Sequence, residues 1–389
     1  MKDETKLTKV GGEFRNPYGY VNPPIFKGST VLYETVQDIE LSQNDSLKKN
    51  PPVYGRFGNP TGNSFEKAMA EIENGYDTVS TCSGLAAVTT SLLAFVKSKD
   101  HILIPDSVYW PTKNFCLGLK NLGVEVEFYH PQMGAKIETL IRPETKVIYL
   151  ESPGSILFEI QDVPAIVEVA KRYKIITMID NTCSTPLNFK PLNFGVDISL
   201  HSATKFISGH SDSFLGVIIC NEATYPVVRK FSMLLGQCAS SEDMYQGLRG
   251  LRTMAARMQK QEQNALTIAK WLRNRNEVEQ VFYAPLERGE NNLLWKRDFQ
   301  GASSLFSILL KPQFSKNHVD QMLNSLKIFG MGFSYGGFES LIVPMDPNHW
   351  RKYPVISTGQ KLLRIYIGLE HVDDLINDLE SAFKFFLKR

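Results

Sequence analysis

The sequence predicts an α/β fold, in which a large domain with a mostly parallel sheet is followed by a smaller α+β C-terminal domain. Short apolar runs alternate with helical stretches through the first half of the chain, which is typical of parallel strands joined by crossover helices. A long helical stretch then precedes a second group of strands and helices. A chain of 389 residues is long enough to bury two cores.

The composition excludes several classes of protein. The chain has 43% apolar and 22% charged residues, which is ordinary for a soluble globular protein. Its 43 basic and 41 acidic side chains give a net charge of +2, so we expect no nucleic-acid and no membrane partner. The five cysteines are scattered without a C-x-x-C pair, which predicts reduced thiols, a cytoplasmic location and no metal site. The first residues lack the apolar core of a signal peptide.

Residues 1–60 are predicted to form an arm that contacts a neighbouring subunit. The segment is rich in residues that break helices and strands, including Asn16-Pro17, Pro23-Pro24, Pro51-Pro52 and Gly58-Asn59-Pro60. It also carries many apolar side chains, among them Phe14, Tyr18, Tyr20, Ile25, Phe26, Val31, Leu32 and Tyr33. The arm is too apolar for a disordered tail and too irregular for a core of its own, so a second copy of the chain is expected to cover it.

The next helices offer a candidate phosphate site. The pattern predicts a helix from Ser64 that ends at Gly75. Thr81-Cys82-Ser83-Gly84-Leu85 then leads into an apolar helical run over residues 86–95. Small residues at a helix start leave backbone N–H groups free to bind a phosphate, but a plain capped core helix explains the same pattern equally well.

Four short apolar segments are predicted to be strands of the large sheet, with helices such as Val163–Tyr173 between them. They are His101–Ile104, Val124–Phe128, Lys146–Leu150 and Ile175–Ile179. Polar or turn-forming residues follow these strands, so the carboxyl edge of the sheet is the expected place for a ligand. Asp180 directly follows the last strand. A buried carboxylate at that position requires a cation as its partner.

A lysine stands at the same predicted edge. The stretch Val196–Asp212 begins as a strand and then places Lys205 beside the hydroxyl groups of Ser202 and Thr204. The next strand is predicted at Gly216–Cys220. A catalytic lysine at a strand end and an ordinary solvated lysine in a loop are both compatible with this pattern.

The second half of the chain is predicted to be a separate unit. The stretch Met244–Leu272 is expected to form a long helix, with a break at Gly250, that leaves the large domain of residues 61–248. Residues 249–389 are expected to form the C-terminal domain, with strands at Phe306–Leu310, Leu341–Val343 and Leu363–Ile367 and helices at His318–Leu326 and from Val372.

A lysine, a carboxylate at a strand end and a helix start that can hold a phosphate are together what pyridoxal 5'-phosphate requires. The lysine would form the Schiff base, the carboxylate would keep the pyridine nitrogen protonated, and the helix start would hold the phosphate. Their order and placement along the chain make this cofactor the leading hypothesis.

The sequence also resembles the Cys/Met-metabolism family of pyridoxal-phosphate enzymes, and the resemblance runs along nearly the whole chain. The similar motifs are Val21-Asn22-Pro23-Pro24, Tyr54-Gly55-Arg56, Glu151–Ser155, Asp180-Asn181-Thr182, Ser202–Lys205, Gly209–Asp212, Gly247–Thr253 and Leu363–Glu370. Within the family, Trp295–Phe299 and Ser334–Ser340 are most similar to the bacterial cystathionine β-lyases. The resemblance implies fold type I, the fold of aspartate aminotransferase.

The resemblance also implies roles for individual residues. Lys205 would be the Schiff-base lysine and proton shuttle, and Asp180 would pair with the pyridinium. The phosphate would be held by Ser83, Gly84, Leu85, Ser202 and Thr204, joined by Tyr54 and Arg56 of a neighbouring subunit.

On the substrate side, the resemblance places Tyr109 against the cofactor ring and assigns Arg364 to the substrate α-carboxylate, with Ser334 nearby. Phe333 and Tyr335 stand where the β-lyases have a tyrosine and a tryptophan, which changes the expected shape and polarity of the substrate pocket. Cys183 and Ser184 also depart from the family pattern, which has an aromatic and a small residue there. We expect Cys183 to have no role.

The implied activity is β-elimination of L-cystathionine to homocysteine, pyruvate and ammonia by a cytoplasmic homotetramer built as a dimer of dimers. Slow alanine racemisation, with Tyr109 as a second proton donor, and cysteine desulfhydration are expected as secondary activities. The alternatives within the family are cystathionine γ-synthase, cystathionine γ-lyase and methionine γ-lyase reactions. A non-catalytic α/β binding or regulatory protein is the alternative from another class. A nicotinamide dehydrogenase is disfavoured because the glycine fingerprint is missing.

Overall fold

Two β-sheets organise the computed structural model, which describes residues 1–12, 18–43, 52–353, 355–357 and 359–387. The strands of the larger sheet are β1 (Asp77–Thr81), β2 (His101–Pro105), β3 (Glu125–Tyr129), β4 (Thr145–Glu151), β5 (Ile176–Asp180), β6 (Ile198–Ser202) and β7 (Gly216–Cys220). Those of the smaller sheet are β8 (Val278–Phe282), β9 (Leu305–Leu310), β10 (Leu341–Met345) and β11 (Lys361–Tyr366).

The helices of the described residues fall before, between and after these strands. They are α1 (Asp3–Leu7), α2 (Val36–Gln43), α3 (Pro60–Glu73), α4 (Gly84–Phe95), α5 (Trp110–Leu119), α6 (Val163–Tyr173), α7 (Thr185–Asn188), α8 (Tyr225–Leu234), α9 (Ser241–Arg273), α10 (Glu290–Asp298), α11 (Lys316–Asn324) and α12 (Val372–Phe383). Short 3₁₀ segments occur at Gly55–Phe57, Lys120–Leu122, Pro131–Leu140, Pro191–Phe194, Ala284–Leu286, Pro347–His349 and Lys384–Leu387.

The larger sheet is mostly parallel, as the sequence predicts. Its strand order is β1-β7-β6-β5-β4-β2-β3, and β7 runs antiparallel to both of its neighbours while the other pairs are parallel. Helices α4 and α5 pack on one face of the sheet, and α6 packs on the other. Because both faces are covered, the central strands are mostly apolar and buried. The smaller sheet, β10-β11-β9-β8, is antiparallel throughout.

Parallel packing brings the carboxyl ends of β4, β5 and β6 together. In the register of β4 with β5, Glu151 lies opposite Asp180, and β6 ends nearby at Ser202. Helix α4 begins at the same edge because the side chain of Ser83 caps it, accepting a hydrogen bond from the N–H of Ala86 at 3.2 Å. This edge is where open α/β sheets bind ligands.

Helix α9 is continuous through Gly250, so the predicted break there is wrong. A Cβ atom on Gly250 would lie 2.1 Å from the carbonyl oxygen of Ile207. Glycine is therefore needed at this position for the close approach of two backbones, and it does not end the helix. The first half of α9 packs with the core beside the larger sheet, and the second half packs with the core of the smaller sheet. The domain boundaries at residues 60 and 248 stay a prediction.

The N-terminal segment is only partly an extended arm. Helix α1 buries Leu7 in the core that also contains Phe65 and Leu248, so the first residues pack on their own chain. Tyr18, Tyr20, Val21 and Leu32 are exposed, and the contact of this segment with a neighbouring subunit stays a prediction. Phe14, Asn16-Pro17 and Pro51 lie outside the described residues.

Two further results concern the described part of the chain alone. None of its helices combines the length and the apolar character needed to cross a membrane. Its His, Cys, Asp and Glu side chains form no group of three or more that could hold a metal ion.

Candidate active site

A cavity of about 530 Å³ opens at the carboxyl ends of β4, β5 and β6, between the two sheets. Most of the residues selected from the sequence line it: Ser83, Gly84, Leu85, Tyr109, Asp180, Ser202, Thr204, Lys205, Phe333, Ser334, Tyr335 and Arg364. Tyr54 and Arg56 do not. Arg56 lines a separate small cleft and donates a hydrogen bond to the carbonyl oxygen of Met233 at 3.0 Å.

Lys205 follows β6 and points into this cavity. Its Nζ donates a hydrogen bond to Oγ of Ser334 at 2.6 Å and lies 5.1 Å from the ring centroid of Tyr335. Burial lowers the pKa of the Lys205 amine to about 8, and the positive charge of Arg364 acts in the same direction. The uncharged amine, which can accept a proton, therefore forms at a lower pH than in an ordinary lysine.

Two carboxyl groups end the neighbouring strands β4 and β5 and line the cavity. Asp180 accepts a hydrogen bond from the N–H of Thr182 at 2.9 Å, and burial raises its pKa. Glu151 accepts a hydrogen bond from the N–H of Tyr109 at 2.8 Å. Burial, together with the charge of Asp180, raises the pKa of Glu151 well above its usual range. Two neighbouring buried carboxyl groups are costly to ionise together, so a cation in the cavity would stabilise the ionised form of either one.

The start of α4 forms the end of the cavity nearest β6. A Cβ atom on Gly84 would lie 2.4 Å from Cβ of Ser202, so only glycine allows the helix to begin this close to β6. The first N–H groups of a helix have no partner within the helix and attract anions. The hydroxyl of Thr204, although it lines the cavity, accepts a hydrogen bond from the N–H of Leu215 at 2.9 Å.

Arg364 reaches the same cavity from β11 of the smaller sheet. It donates a hydrogen bond from Nη2 to the carbonyl oxygen of Ser334 at 3.1 Å. Burial lowers its pKa, but an arginine remains protonated at any physiological pH. Ser334 therefore contacts the lysine through its hydroxyl group and the guanidinium through its carbonyl group.

Comparison with known proteins identifies the family. Residues 4–384 match the family described as Cys/Met metabolism PLP-dependent enzyme. The chain belongs to this family. It is 37% identical over 388 residues to the cystathionine beta-lyase of Escherichia coli, covering 98% of each chain. It is 38% identical over 392 residues to the L-alanine/L-glutamate racemase of Wolbachia pipientis, covering 98% of this chain and 97% of the relative.

Solved structures agree with this assignment. The crystal structure of cystathionine gamma synthase from Xanthomonas oryzae is similar at a TM-score of 0.90 with 29% identity, covering 99% of this chain and 98% of that one. The predicted family, fold type I and the dependence on pyridoxal phosphate are thereby confirmed.

The cavity of this pyridoxal-phosphate enzyme fits its cofactor. Asp180 lines the cavity, and burial raises the pKa of its carboxyl, so its ionised form would be stabilised by a cation such as a protonated ring nitrogen. The close contact of Gly84 with Ser202 keeps the start of α4 open to a phosphate group. An amine at Lys205 lies within the same cavity.

The aromatic residues of the cavity differ in their exposure. Tyr109 is 48% exposed. Partial burial of its phenol, together with the charges of Asp180 and Glu151, raises the pKa of that group. Phe333 is 79% exposed at the cavity mouth. Tyr335 is partly buried, and its ring packs against that of Phe206 at 5.7 Å.

Glu151, Cys183 and Trp350 also line the cavity, although the sequence pattern assigned no role to them. Glu151 ends β4 as Asp180 ends β5, and that parallel position was the signal for it. Cys183 lines the cavity with its Sγ 3.3 Å from Oγ of Ser303, and burial raises its pKa to about 12, so it is a neutral thiol. Trp350 stacks obliquely on Trp110 at 5.7 Å in the outer wall, and no sequence pattern indicated it.

Proposed function

We propose that this enzyme is a carbon–sulfur lyase that converts L-cystathionine to homocysteine, pyruvate and ammonia by β-elimination. The observation that carries the proposal is the joint contact of Ser334 with the Lys205 amine and the Arg364 guanidinium in one cavity. The E. coli relative, similar over the whole chain, is named as a cystathionine beta-lyase.

Arg364 and Lys205 would have different roles in the reaction. Arg364 would bind the α-carboxylate of the amino acid and so turn its Cα toward Lys205. The uncharged Nζ of Lys205 would take the proton from Cα, after which the bond from Cβ to sulfur breaks and the sulfur leaves as a thiolate with the bonding electrons. Pyridoxal phosphate, when bound, supplies a conjugated ring that accepts the electron pair left on Cα.

Other residues would hold the cofactor. Asp180 would pair with its ring nitrogen, and Tyr109 would lie against its ring. The phosphate would be held by the start of α4 at Ser83, Gly84 and Leu85 and by the hydroxyl groups of Ser202 and Thr204.

Product analysis with L-cystathionine tests the reaction. Pyruvate with homocysteine is expected, and 2-oxobutyrate with cysteine would instead support the γ-lyase alternative. Absence of both product pairs in a preparation that contains bound cofactor would favour a binding or regulatory protein.

The same active site should also convert L-cysteine to pyruvate and sulfide, as a desulfhydrase does. We place the enzyme in the cytoplasm, where free amino acids are processed.

We further propose a homotetramer, arranged as a dimer of dimers, in which Tyr54 and Arg56 complete the phosphate site of a neighbouring subunit. Neither residue lines the cavity of its own chain. Mixing Arg56→Ala with Lys205→Ala should therefore restore activity, because a mixed dimer has one site with both native residues. At equal amounts, about one quarter of wild-type activity is expected. If native mass spectrometry demonstrates mixed oligomers and no activity returns, the sharing of sites is wrong.

Alanine racemisation is the expected second activity, supported by the Wolbachia relative that is named as an alanine and glutamate racemase. Alanine has no leaving group on Cβ, so a proton removed by Lys205 can only be returned. Tyr109 lines the cavity and keeps its phenol proton because its pKa is raised. We expect slow formation of D-alanine from L-alanine in deuterated water, measured by chiral separation. Deuterium at Cα without any D-alanine would eliminate Tyr109 as a donor to the second face.

A further inference from the structure

The turn at residues 334–337, which begins with Ser334, is held in place by side chains outside the cavity. The carbonyl oxygen of Gly337 accepts a hydrogen bond from Nε2 of Gln261 at 2.8 Å and another from the hydroxyl of Tyr366 at 2.7 Å. Gln261 Nε2 also donates to the Tyr366 hydroxyl at 2.8 Å. Gln261 on α9 and Tyr366 on β11 are buried, and neither side chain lines the cavity.

The same turn rests directly on the backbone of Lys205. Gly336 has a φ of +89°, and a Cβ atom on it would lie 2.6 Å from the carbonyl carbon of Lys205. Ser334, at the other end of the turn, accepts the hydrogen bond from the Lys205 amine. A displacement of the Gly337 carbonyl would therefore change the position of Ser334 relative to Lys205, because the turn between them is short and closely packed.

Tyr366 packs on the residues that follow Lys205 and Ser334 in the chain. Its ring packs on Phe206, the residue after Lys205, with ring centroids 6.0 Å apart, and on Tyr335 at 6.4 Å. Tyr335 in turn lies under the Lys205 amine. The buried hydroxyl of Tyr366 and the buried amide of Gln261 thus connect β11, which carries Arg364, with the turn of Ser334 and the segment of Lys205.

We infer that Gln261 and Tyr366 are positioning residues for the reaction, which fix the Gly337 carbonyl and thereby hold Ser334 against both the Lys205 amine and the Arg364 guanidinium. The inference rests on the proposed function in taking Lys205 as the base. It adds two residues that act through the turn from outside the cavity.

The position of this turn also affects the surroundings of the Lys205 amine. Burial is the main reason that the Lys205 amine has a pKa of about 8 rather than 10.5, and the charge of Arg364 adds to it. The other titratable groups that line the cavity are Tyr109, Glu151, Asp180, Cys183 and Tyr335. Loosening the turn would admit water to the amine and separate it from Arg364, so the pKa of Lys205 should return toward 10.5.

The test uses the protein without its cofactor, in which Lys205 is a free amine. Pulse acetylation across a pH series, read out on the peptide that contains Lys205, gives the pKa of this amine. Gln261→Met removes the amide donor at nearly constant volume, and Tyr366→Phe removes only the hydroxyl. In both variants we expect a rise of about one unit in the pKa of Lys205, a shift typical of altered surroundings.

Two matched controls make the same chemical changes elsewhere. Gln263→Met alters an exposed position of α9, and Tyr173→Phe removes a hydroxyl that bonds Glu138 on the surface. Both should leave the titration of Lys205 unchanged. With cofactor restored, the acid limb of kcat, which reports the complex in which the substrate has freed the Lys205 amine, should move to higher pH in Gln261→Met and Tyr366→Phe alone.

An unchanged Lys205 titration in Gln261→Met and Tyr366→Phe, with only a lower melting temperature, would overturn the inference and leave both residues with a structural role. If Gln261→Met does not fold, Tyr366→Phe decides the matter. The labelling does not depend on turnover, so a wild-type enzyme that fails to cleave cystathionine would contradict the proposed function and leave this result readable.

Discussion

Lys205→Ala should abolish turnover while leaving the fold and part of the cofactor binding intact. The variant lacks the amine that takes the Cα proton, and acid–base groups of this kind contribute about 10²- to 10⁴-fold to a rate. We expect a loss at or beyond the upper end of this range, because the lysine also anchors the cofactor. Pyruvate formation measures turnover, and absorbance after gel filtration measures the retained cofactor.

Two companion measurements make the Lys205→Ala result specific. Lys146→Ala, at an exposed position of β4, should behave as wild type. Added methylamine should restore part of the activity of Lys205→Ala, since it supplies the missing amine. Borohydride reduction of the wild-type enzyme followed by peptide mapping should label Lys205, and a label on another lysine would refute the assignment.

The central strands could be predicted because both of their faces are buried. Strands β2, β4 and β5 are mostly apolar and buried, so each appears in the sequence as a short apolar run that differs from the observed strand by about one residue at either end. Strand β1 was missed because Asp77–Thr81 consists mainly of hydroxyl residues. Strand β8 was missed because two of its side chains face solvent.

Prolines and glycines act differently in the helices according to where they lie. Pro111 and Pro226 lie in the first turns of α5 and α8, where proline is favourable and does not break the helix. Gly250 resembled a break in α9, whereas its small size serves a contact with Ile207. In each case the chain near the residue does not reveal whether a helix begins, ends or continues there.

The strand pattern of the sequence predicts the residues on one side of the candidate site but not those on the other. Lys205, Asp180 and the start of α4 all lie at the carboxyl edge of one sheet, a place that the strand pattern identifies. Arg364 and Ser334 come from the second half of the chain, and nothing but the family resemblance connected them with Lys205. The hydrogen bonds of Gln261 and Tyr366 to Gly337 depend on the packing of α9 against β11, for which the sequence carries no signal.

Arg364→Lys should lower kcat/KM for L-cystathionine by about 10- to 100-fold, which corresponds to the loss of a charge-assisted two-pronged hydrogen bond. The planar guanidinium can bind a carboxylate through two parallel hydrogen bonds, whereas a lysine offers a single point charge. Arg364 also holds the carbonyl oxygen of Ser334, so the substitution should loosen the contact of Ser334 with Lys205. Steady-state kinetics of pyruvate formation measure the effect.

Further measurements on Arg364→Lys distinguish a loss of substrate-carboxylate binding from general damage to the site. Cofactor content and the melting temperature should match those of wild type, because Asp180 and the start of α4 are unchanged. Arg142→Lys is a matched control, since Arg142 pairs with Glu125 and Glu127 at an exposed position and does not line the cavity. A substrate analogue without the α-carboxylate tests this directly. If Arg364→Lys lowers activity with that analogue as much as with L-cystathionine, Arg364 does not bind the carboxylate. Near-wild-type kinetics with L-cystathionine would also exclude this role, because no other described arginine lines the cavity to replace it.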